Sequence, residues 1–255
     1  MKMTCIFCDN ENLAKSVEHI ISESFGNKDY IIEKGKVCDN CNGRFSKFES
    51  IALTNSVFIM ERARFGIETK KGKNAKGQLG GLRIEGDDEF RQNYLTIIGN
   101  LKLHEFDPRN KTGKVYIPSF DKSEVATSKL LLKTGLESIY KSRKNVFNSY
   151  DFKDLKAYLT LKTNTDWPFL TTEFELAKFE NIPQNEDKLK LDNIRCVLTY
   201  LEMDSRTLLF KFKYGAISMT INLLNRDLEW IKSTIKEDNQ AILYPEHYRA
   251  KANKL

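Results

Sequence analysis

Apolar residues recur at helical spacing over residues 42–59, where Phe45, Phe48, Ile51, Ala52 and Leu53 mark one face. They recur again over residues 123–140, where Val125, Leu130, Leu131, Leu132, Leu136 and Ile139 form a stripe that predicts a buried amphipathic helix. Residues 151–159 and 228–235 predict two shorter helices. Residues 16–21 (SVEHII) and 30–37 (YIIEKGKV) are rich in Val and Ile and predict strands, as do residues 94–103 and 114–117. Residues 194–203 and 207–224 predict a long hairpin that turns at Asp204 and Ser205. One stretch interrupts these patterns. Residues 69–83 read TKKGKNAKGQLGGLR, with four lysines, one arginine, four glycines and no acid. That composition predicts a flexible basic linker. It divides the chain into residues 1–68 and an α+β domain over residues 84–255, whose role could be targeting, dimerisation or partner docking.

The 255 residues are 40% hydrophobic, enough for a core, and 30% charged. The net charge of +6 fits a nucleic-acid partner without requiring one. No apolar run is long enough to span a membrane, and the first residues lack the apolar stretch of a signal peptide. The default expectation is a cytoplasmic protein without membrane association.

Four of the five cysteines fall in two CxxC pairs, Cys5 with Cys8 and Cys38 with Cys41. Each CxxC turn presents two thiolates on one side, and two such turns complete a tetrahedral zinc site. With four cysteine ligands the site is closed and therefore structural. A redox CxxC pair is the competing reading, but redox chemistry has no need of a second pair. Cys196 stands alone in an apolar stretch and reads as a core thiol.

Three histidines occur: His19, His104 and His247. His19 lies between the knuckles, next to Glu18, and Asn42 directly follows Cys41. The strings CIFC, SVEHIISESFGN and VCDNCNGRF, in that order, resemble HNH endonucleases of the cysteine-flanked, treble-clef-like ββα-metal type. The resemblance covers about the first fifty to sixty residues, by the motifs that carry it. It implies an N-terminal zinc-stapled ββα-metal unit followed by a mixed α+β domain. It implies His19 as the general base that activates water, with Glu18 and Asn42 as ligands of a catalytic Mg²⁺ or Mn²⁺ ion beside the structural Zn²⁺. Two positions depart from the pattern. No residue clearly matches the middle asparagine that holds the base, although Asn27 and Glu33 lie nearby, and Ser22 stands where a proline is frequent.

The chemistry is coherent without the resemblance. Phosphodiester hydrolysis needs an activated water, and an imidazole can take its proton. A divalent ion can neutralise charge on the phosphate and the leaving oxygen. One geometric tension exists, because neighbours on a strand point to opposite faces, and Glu18 and His19 are neighbours. Glu49 follows Asn42 by seven residues, about 10 Å along a helix axis, too far to share an ion with it. Arg44 and Lys47 are candidate phosphate contacts or a solvated helix face. Lys70, Lys71, Lys73 and Lys76 could track a nucleic-acid backbone or merely solvate a linker.

The expected substrate is DNA, with RNA open as an alternative. A homodimer or an activating protein partner is also left open, and chains of this organisation resemble effectors of mobile elements or antiviral defence. The competing functions are a catalytically inactive zinc-ribbon module that binds nucleic acid, and an adaptor.

Overall fold

The computed structural model describes residues 3–69, 71–79, 81–100, 104–114, 117–161, 166–171, 188–191, 195–234 and 241–249. The N-terminal strands are only two residues each: β1 (Met3–Thr4), β2 (Glu11–Asn12), β3 (Glu18–His19) and β4 (Ile31–Ile32). β1 pairs with β2, and β3 pairs antiparallel with β4, placing Glu18 opposite Ile32 and His19 opposite Ile31. The longer strands expected over residues 16–21 and 30–37 shrink because the chain between them folds on itself. There Asn27, almost fully buried, donates to the carbonyls of Ile21 (2.5 Å) and Tyr30 (3.0 Å) and accepts from the Tyr30 amide (2.9 Å).

The helix expected over residues 42–59 is two helices, α1 (Asp39–Ala52) and α2 (Ser56–Arg64). Periodicity runs through both, but Asn55 breaks the backbone between them. Its buried side chain accepts from the amides of Lys122 (2.8 Å) and Ser123 (3.1 Å) and donates to the Ala52 carbonyl (2.9 Å). A polar side chain this buried has to be satisfied, and Asn55 meets the requirement by stitching the joint to the start of the next long helix.

The basic stretch is only partly a loop. Strand β5 (Lys76–Leu79) pairs with β6 (Leu82–Gly86), which pairs with β7 (Leu95–Gly99) in a three-stranded antiparallel sheet. The sheet packs on α2. Gly77 permits the approach, since a Cβ there would collide with the Ile59 side chain. β8 (His104–Asp107) and β9 (Thr112–Lys114) form a separate two-stranded ribbon. Residues 101–103, 115 and 116, which close the strands expected at 94–103 and 114–117, lie outside the described residues.

The long expected helix is α3 (Glu124–Ser142), capped by Ser123, whose hydroxyl accepts from the Ala126 amide at 3.0 Å. α4 (Lys144–Ser149) and α5 (Lys153–Thr160) follow. A six-stranded antiparallel sheet then forms from β10 (Phe169–Thr171), β11 (Lys188–Leu191), β12 (Cys196–Asp204), β13 (Thr207–Tyr214), β14 (Ile217–Asn222) and β15 (Ile242–Tyr244), with α6 (Glu229–Thr234) before the last strand. Its order is β11-β12-β13-β14-β10-β15. The expected hairpin exists as β12 and β13. The single strand expected over residues 207–224 turns back at Gly215, whose φ of +59° favours glycine.

The architecture is therefore mixed α and β, as the residue patterning predicts. Its main hydrophobic cluster crosses the expected boundary at residues 69–83. Phe25, six residues beyond His19, packs its ring 5.4 Å from Phe58 and 4.5 Å from Tyr214. α1 packs against α3, and α3 packs against β13 and β14. The N-terminal unit is thus clamped by the helices and sheet that follow it.

Candidate active site and cysteine cluster

The four paired cysteines converge. Their Sγ atoms all lie within 4.8 Å of one another, the one such group of His, Cys, Asp or Glu among the described residues. Cys8 Sγ and Cys38 Sγ are 3.7 Å apart. A tetrahedron with metal–sulfur bonds of about 2.3 Å has edges of about 3.8 Å, so the donor set fits a zinc ion. Backbone amides support the sulfurs: Cys38 N donates to Cys5 Sγ and Cys41 N to Cys38 Sγ, each at 3.4 Å. Such N–H groups favour thiolate over thiol. The hydrogen bond with Cys41 lowers the Cys5 thiol to about 4, and the same contact pushes Cys41 up. Cys196 is far along the chain, buried in the sheet, and burial raises its thiol. It behaves as the core residue its apolar surroundings predict.

The two residues of β3 part company, as the strand period requires. His19 is partly exposed. Its Nε2 lies 2.8 Å from Glu23 Oε1, while its Nδ1 is buried and makes no hydrogen bond to protein. A carboxylate at Nε2 holds the ring proton there and leaves the Nδ1 lone pair available. Glu23 sits in a 3-10 turn (Glu23–Phe25) capped by Ser22, whose hydroxyl accepts from Ser24 N at 3.3 Å. Ser22, which departs from the family pattern, therefore starts the turn that brings Glu23 to the imidazole. Asn27 closes the same loop through backbone contacts, whereas the imidazole contact comes from Glu23.

Glu18 points inward and is 6% exposed. Its carboxylate forms an ion pair with Lys133 of α3, which is fully buried and also pairs with Glu49 (2.8 Å) and Glu137 (3.3 Å). Burial pushes Glu18 above the usual carboxylate range despite the nearby ammonium, and pushes Glu137 much further. Burial alone would lower Lys133, but the charges of Glu137, Glu49 and Glu18 outweigh it and raise it well above the ordinary value. Lys133 Nζ also donates to the His19 carbonyl at 3.1 Å, and the Thr134 hydroxyl donates to the Ile20 carbonyl at 3.3 Å.

Asn42 has a different partner. Its amide donates to Ser16 Oγ at 3.1 Å, and Ser16 in turn donates to Asp39 at 2.6 Å. Glu18, His19 and Asn42 thus engage three separate sets of groups. Ser16 engages the amide nitrogen of Asn42, not the oxygen that could ligate a cation, whereas the Lys133 ammonium lies directly on the Glu18 carboxylate.

Of the candidate phosphate contacts, Arg44 donates through Nη1 to the Thr160 carbonyl and lines a 640 Å³ cleft with Cys8, Lys153 and Lys156. Lys47 is exposed on α1. Lys71 and Lys73 are exposed, and Lys76 is exposed 3.6 Å from Glu85, while Lys70 lies outside the described residues. A second cleft of 490 Å³ opens beside the imidazole's partner and is lined by Glu23, Ser24, Asn27, Lys28, Glu68 and Thr69, the last at the root of the basic stretch. Among the other histidines, His247 Nε2 lies 3.4 Å from Asp166.

Sequence reasoning missed Lys133, Glu137 and Glu23. The first two had a signal: Lys133 and Glu137 fall on the stripe shared by Leu130 and Leu136, where a surface residue does not belong. Glu23 had none, because its position depends on the loop's path.

No helix among the described residues is long and apolar enough to cross a membrane. No curated protein and no solved structure matches the chain. Residues 5–57 match the family model described as HNH endonuclease. That segment begins at the first zinc-knuckle cysteine, contains Glu18, His19 and Asn42, and ends in α2. The chain therefore carries an N-terminal HNH endonuclease-family domain with a four-cysteine cluster.

Proposed function

We propose that the chain is a metal-dependent HNH endonuclease that hydrolyses phosphodiester bonds in DNA, with His19 as the base that takes the proton of the attacking water. The observation that carries this reading is the imidazole of the family-matched segment, held at Nε2 by Glu23 with Nδ1 unbonded. A base needs a fixed ring and a free lone pair, and this arrangement supplies both. Nδ1 has almost no accessible surface, so neighbouring side chains have to part for water to reach it.

The four cysteines hold a structural zinc ion in this reading, which ties the loop carrying His19 to the start of α1. A Mg²⁺ or Mn²⁺ requirement enters with the family resemblance; when bound, such an ion neutralises charge on the phosphate. To serve it, Glu18 would have to share its carboxylate with Lys133, while Asn42 could offer its oxygen and still donate to Ser16; no step is routed through either. The cleft at Glu23, Lys28 and Thr69 runs from the imidazole's partner to the root of the basic stretch, where a nucleic-acid backbone would meet Lys71, Lys73 and Lys76. Arg44 and Lys47 are second candidates for phosphate contacts on α1. The deciding experiment is cleavage of plasmid DNA with Mg²⁺ or Mn²⁺ by the wild type and by His19→Ala. Binding without cleavage would favour the inactive zinc-ribbon module.

A further inference from the structure

The geometry points to Lys133 as a positioning residue for His19, supplied by helix α3 from outside the family-matched segment, so that the second part of the chain completes the candidate active site. This rests on the reading of His19 as the base. An ammonium has three N–H donors. Lys133 donates one to the His19 carbonyl at 3.1 Å and forms ion pairs with Glu18, Glu49 (2.8 Å) and Glu137 (3.3 Å). Three of these contacts lie in the N-terminal unit and one on α3 itself. The His19 carbonyl and the Glu18 carboxylate belong to adjacent residues, so one cation grips the backbone on which the imidazole is mounted.

The grip acts on a short element: β3 is two residues long and, among the described residues, pairs with the two residues of β4. Thr134 adds a second hold from the same helix, at the Ile20 carbonyl. On the imidazole side the contact is Glu23, in a short turn. Without Lys133, two carboxylates of the N-terminal unit, the buried Glu18 and the half-buried Glu49, would lack their cation. Unpaired buried charges drive local rearrangement, and the backbone joined directly to Glu18 is that of His19. Lys133 also fills the place beside Glu18 where the family resemblance puts a divalent ion. A fixed internal cation thus stands where a diffusible one is expected, and Glu18 serves as its anchor.

The test uses the full zinc-loaded chain with ¹³C-labelled histidine, which gives three imidazole signals because the chain has three histidines. Lys133→Met, Lys133→Arg and the double variant Lys133→Met/Glu137→Met are compared with the wild type at one fixed pH. The double variant also removes Glu137, the most deeply buried of the three carboxylates that Lys133 pairs, which lowers the uncompensated charge. The expected result is a displaced or broadened His19 signal in both Met variants, with His104 and His247 unchanged. Plasmid cleavage should lose about 10- to 100-fold in kcat, the scale of a misplaced reacting group. KM should stay within about twofold, since no substrate contact is removed, and Lys133→Arg should recover part of kcat. A folded Met variant with a wild-type His19 signal overturns the proposal. So does failure of both Met variants to fold, because Lys133 would then serve the whole chain rather than His19. If the wild type cleaves no DNA, the nuclease reading fails, yet the His19 signal still decides whether Lys133 positions that ring.

Discussion

His19 Nε2 and Glu23 Oε1 lie 2.8 Å apart, joined across one turn of irregular chain rather than across a helix or sheet. The pairing gives the imidazole a defined orientation and, in the proposed mechanism, leaves Nδ1 to accept the proton. His19→Ala should therefore lower DNA cleavage by about 10²- to 10⁴-fold, the usual contribution of a general base. Zinc content, melting temperature and DNA affinity should stay near wild type, because four cysteines, not His19, form the metal cluster. Wild-type cleavage by this variant would sink the mechanism.

Glu23→Gln keeps an oxygen acceptor for the imidazole but removes the charge that favours one tautomer. Its kcat should fall less than in His19→Ala, and Glu23→Ala should fall further, toward about 10²-fold, the scale of a misaligned reacting group. Single-turnover rates at saturating DNA measure this directly. Equal rates for Glu23→Ala and the wild type would mean that another contact holds the ring.

The four-cysteine cluster was legible in the sequence because its signal is local and chemical: two CxxC turns have few uses other than converging on one point. The Glu-His dipeptide was legible as a family motif, but its geometry was not. Strand alternation warned that Glu18 and His19 face opposite ways, and they do, one toward Lys133 and the other toward Glu23. The partners stayed hidden for different reasons. Lys133 is more than a hundred residues away, and only a tertiary contact brings it to β3. Asn55 concealed the break between α1 and α2, because apolar spacing continues across it while a buried polar side chain redirects the backbone. The basic stretch read as a linker because glycine and lysine are poor strand formers in isolation, but pairing with β6 overrides that preference.

Cys38→Ser removes one thiolate from the cluster, while the serine hydroxyl can still cap α1 at the Cys41 amide, so the defect reports the metal site. Elemental analysis should find about one zinc per wild-type chain and much less in the variant, as expected for a four-thiolate structural site. The melting temperature should drop, and cleavage should drop with it, since binding energy at a structural zinc is folding energy. Full activity in a zinc-free, well-folded variant would remove the structural role.

Neutralising Lys70, Lys71, Lys73 and Lys76 together should weaken DNA binding without altering the cleavage step. For every phosphate that no longer meets a lysine, the slope of log affinity against log salt should shrink by about 0.9. Lys76 lies 3.6 Å from Glu85, so it should contribute least. The check is DNA binding across a salt series, alongside single-turnover cleavage at saturating enzyme. An unchanged slope would make this sheet edge a solvated surface.

Glu18→Gln separates the two roles open to that carboxylate. As a ligand of a catalytic ion, Glu18 would leave a variant that binds Mg²⁺ or Mn²⁺ more weakly, and raised metal concentration would restore cleavage. As the anchor of Lys133, it leaves a different defect. The ammonium keeps Glu49 and Glu137 but loses its shortest pairing, next to the His19 carbonyl. Breaking one partner of a buried ion pair typically costs about 3–5 kcal/mol, and the remaining carboxylates should hold the loss near or below the lower end. The structure supports the second role, because Glu18 is buried against Lys133. Glu18→Gln should therefore melt at a lower temperature, cleave more slowly, and stay slow as Mn²⁺ is titrated upward. Recovery of the wild-type rate at high Mn²⁺ would return Glu18 to the ion, and would require the ammonium of Lys133 to swing away when that ion binds.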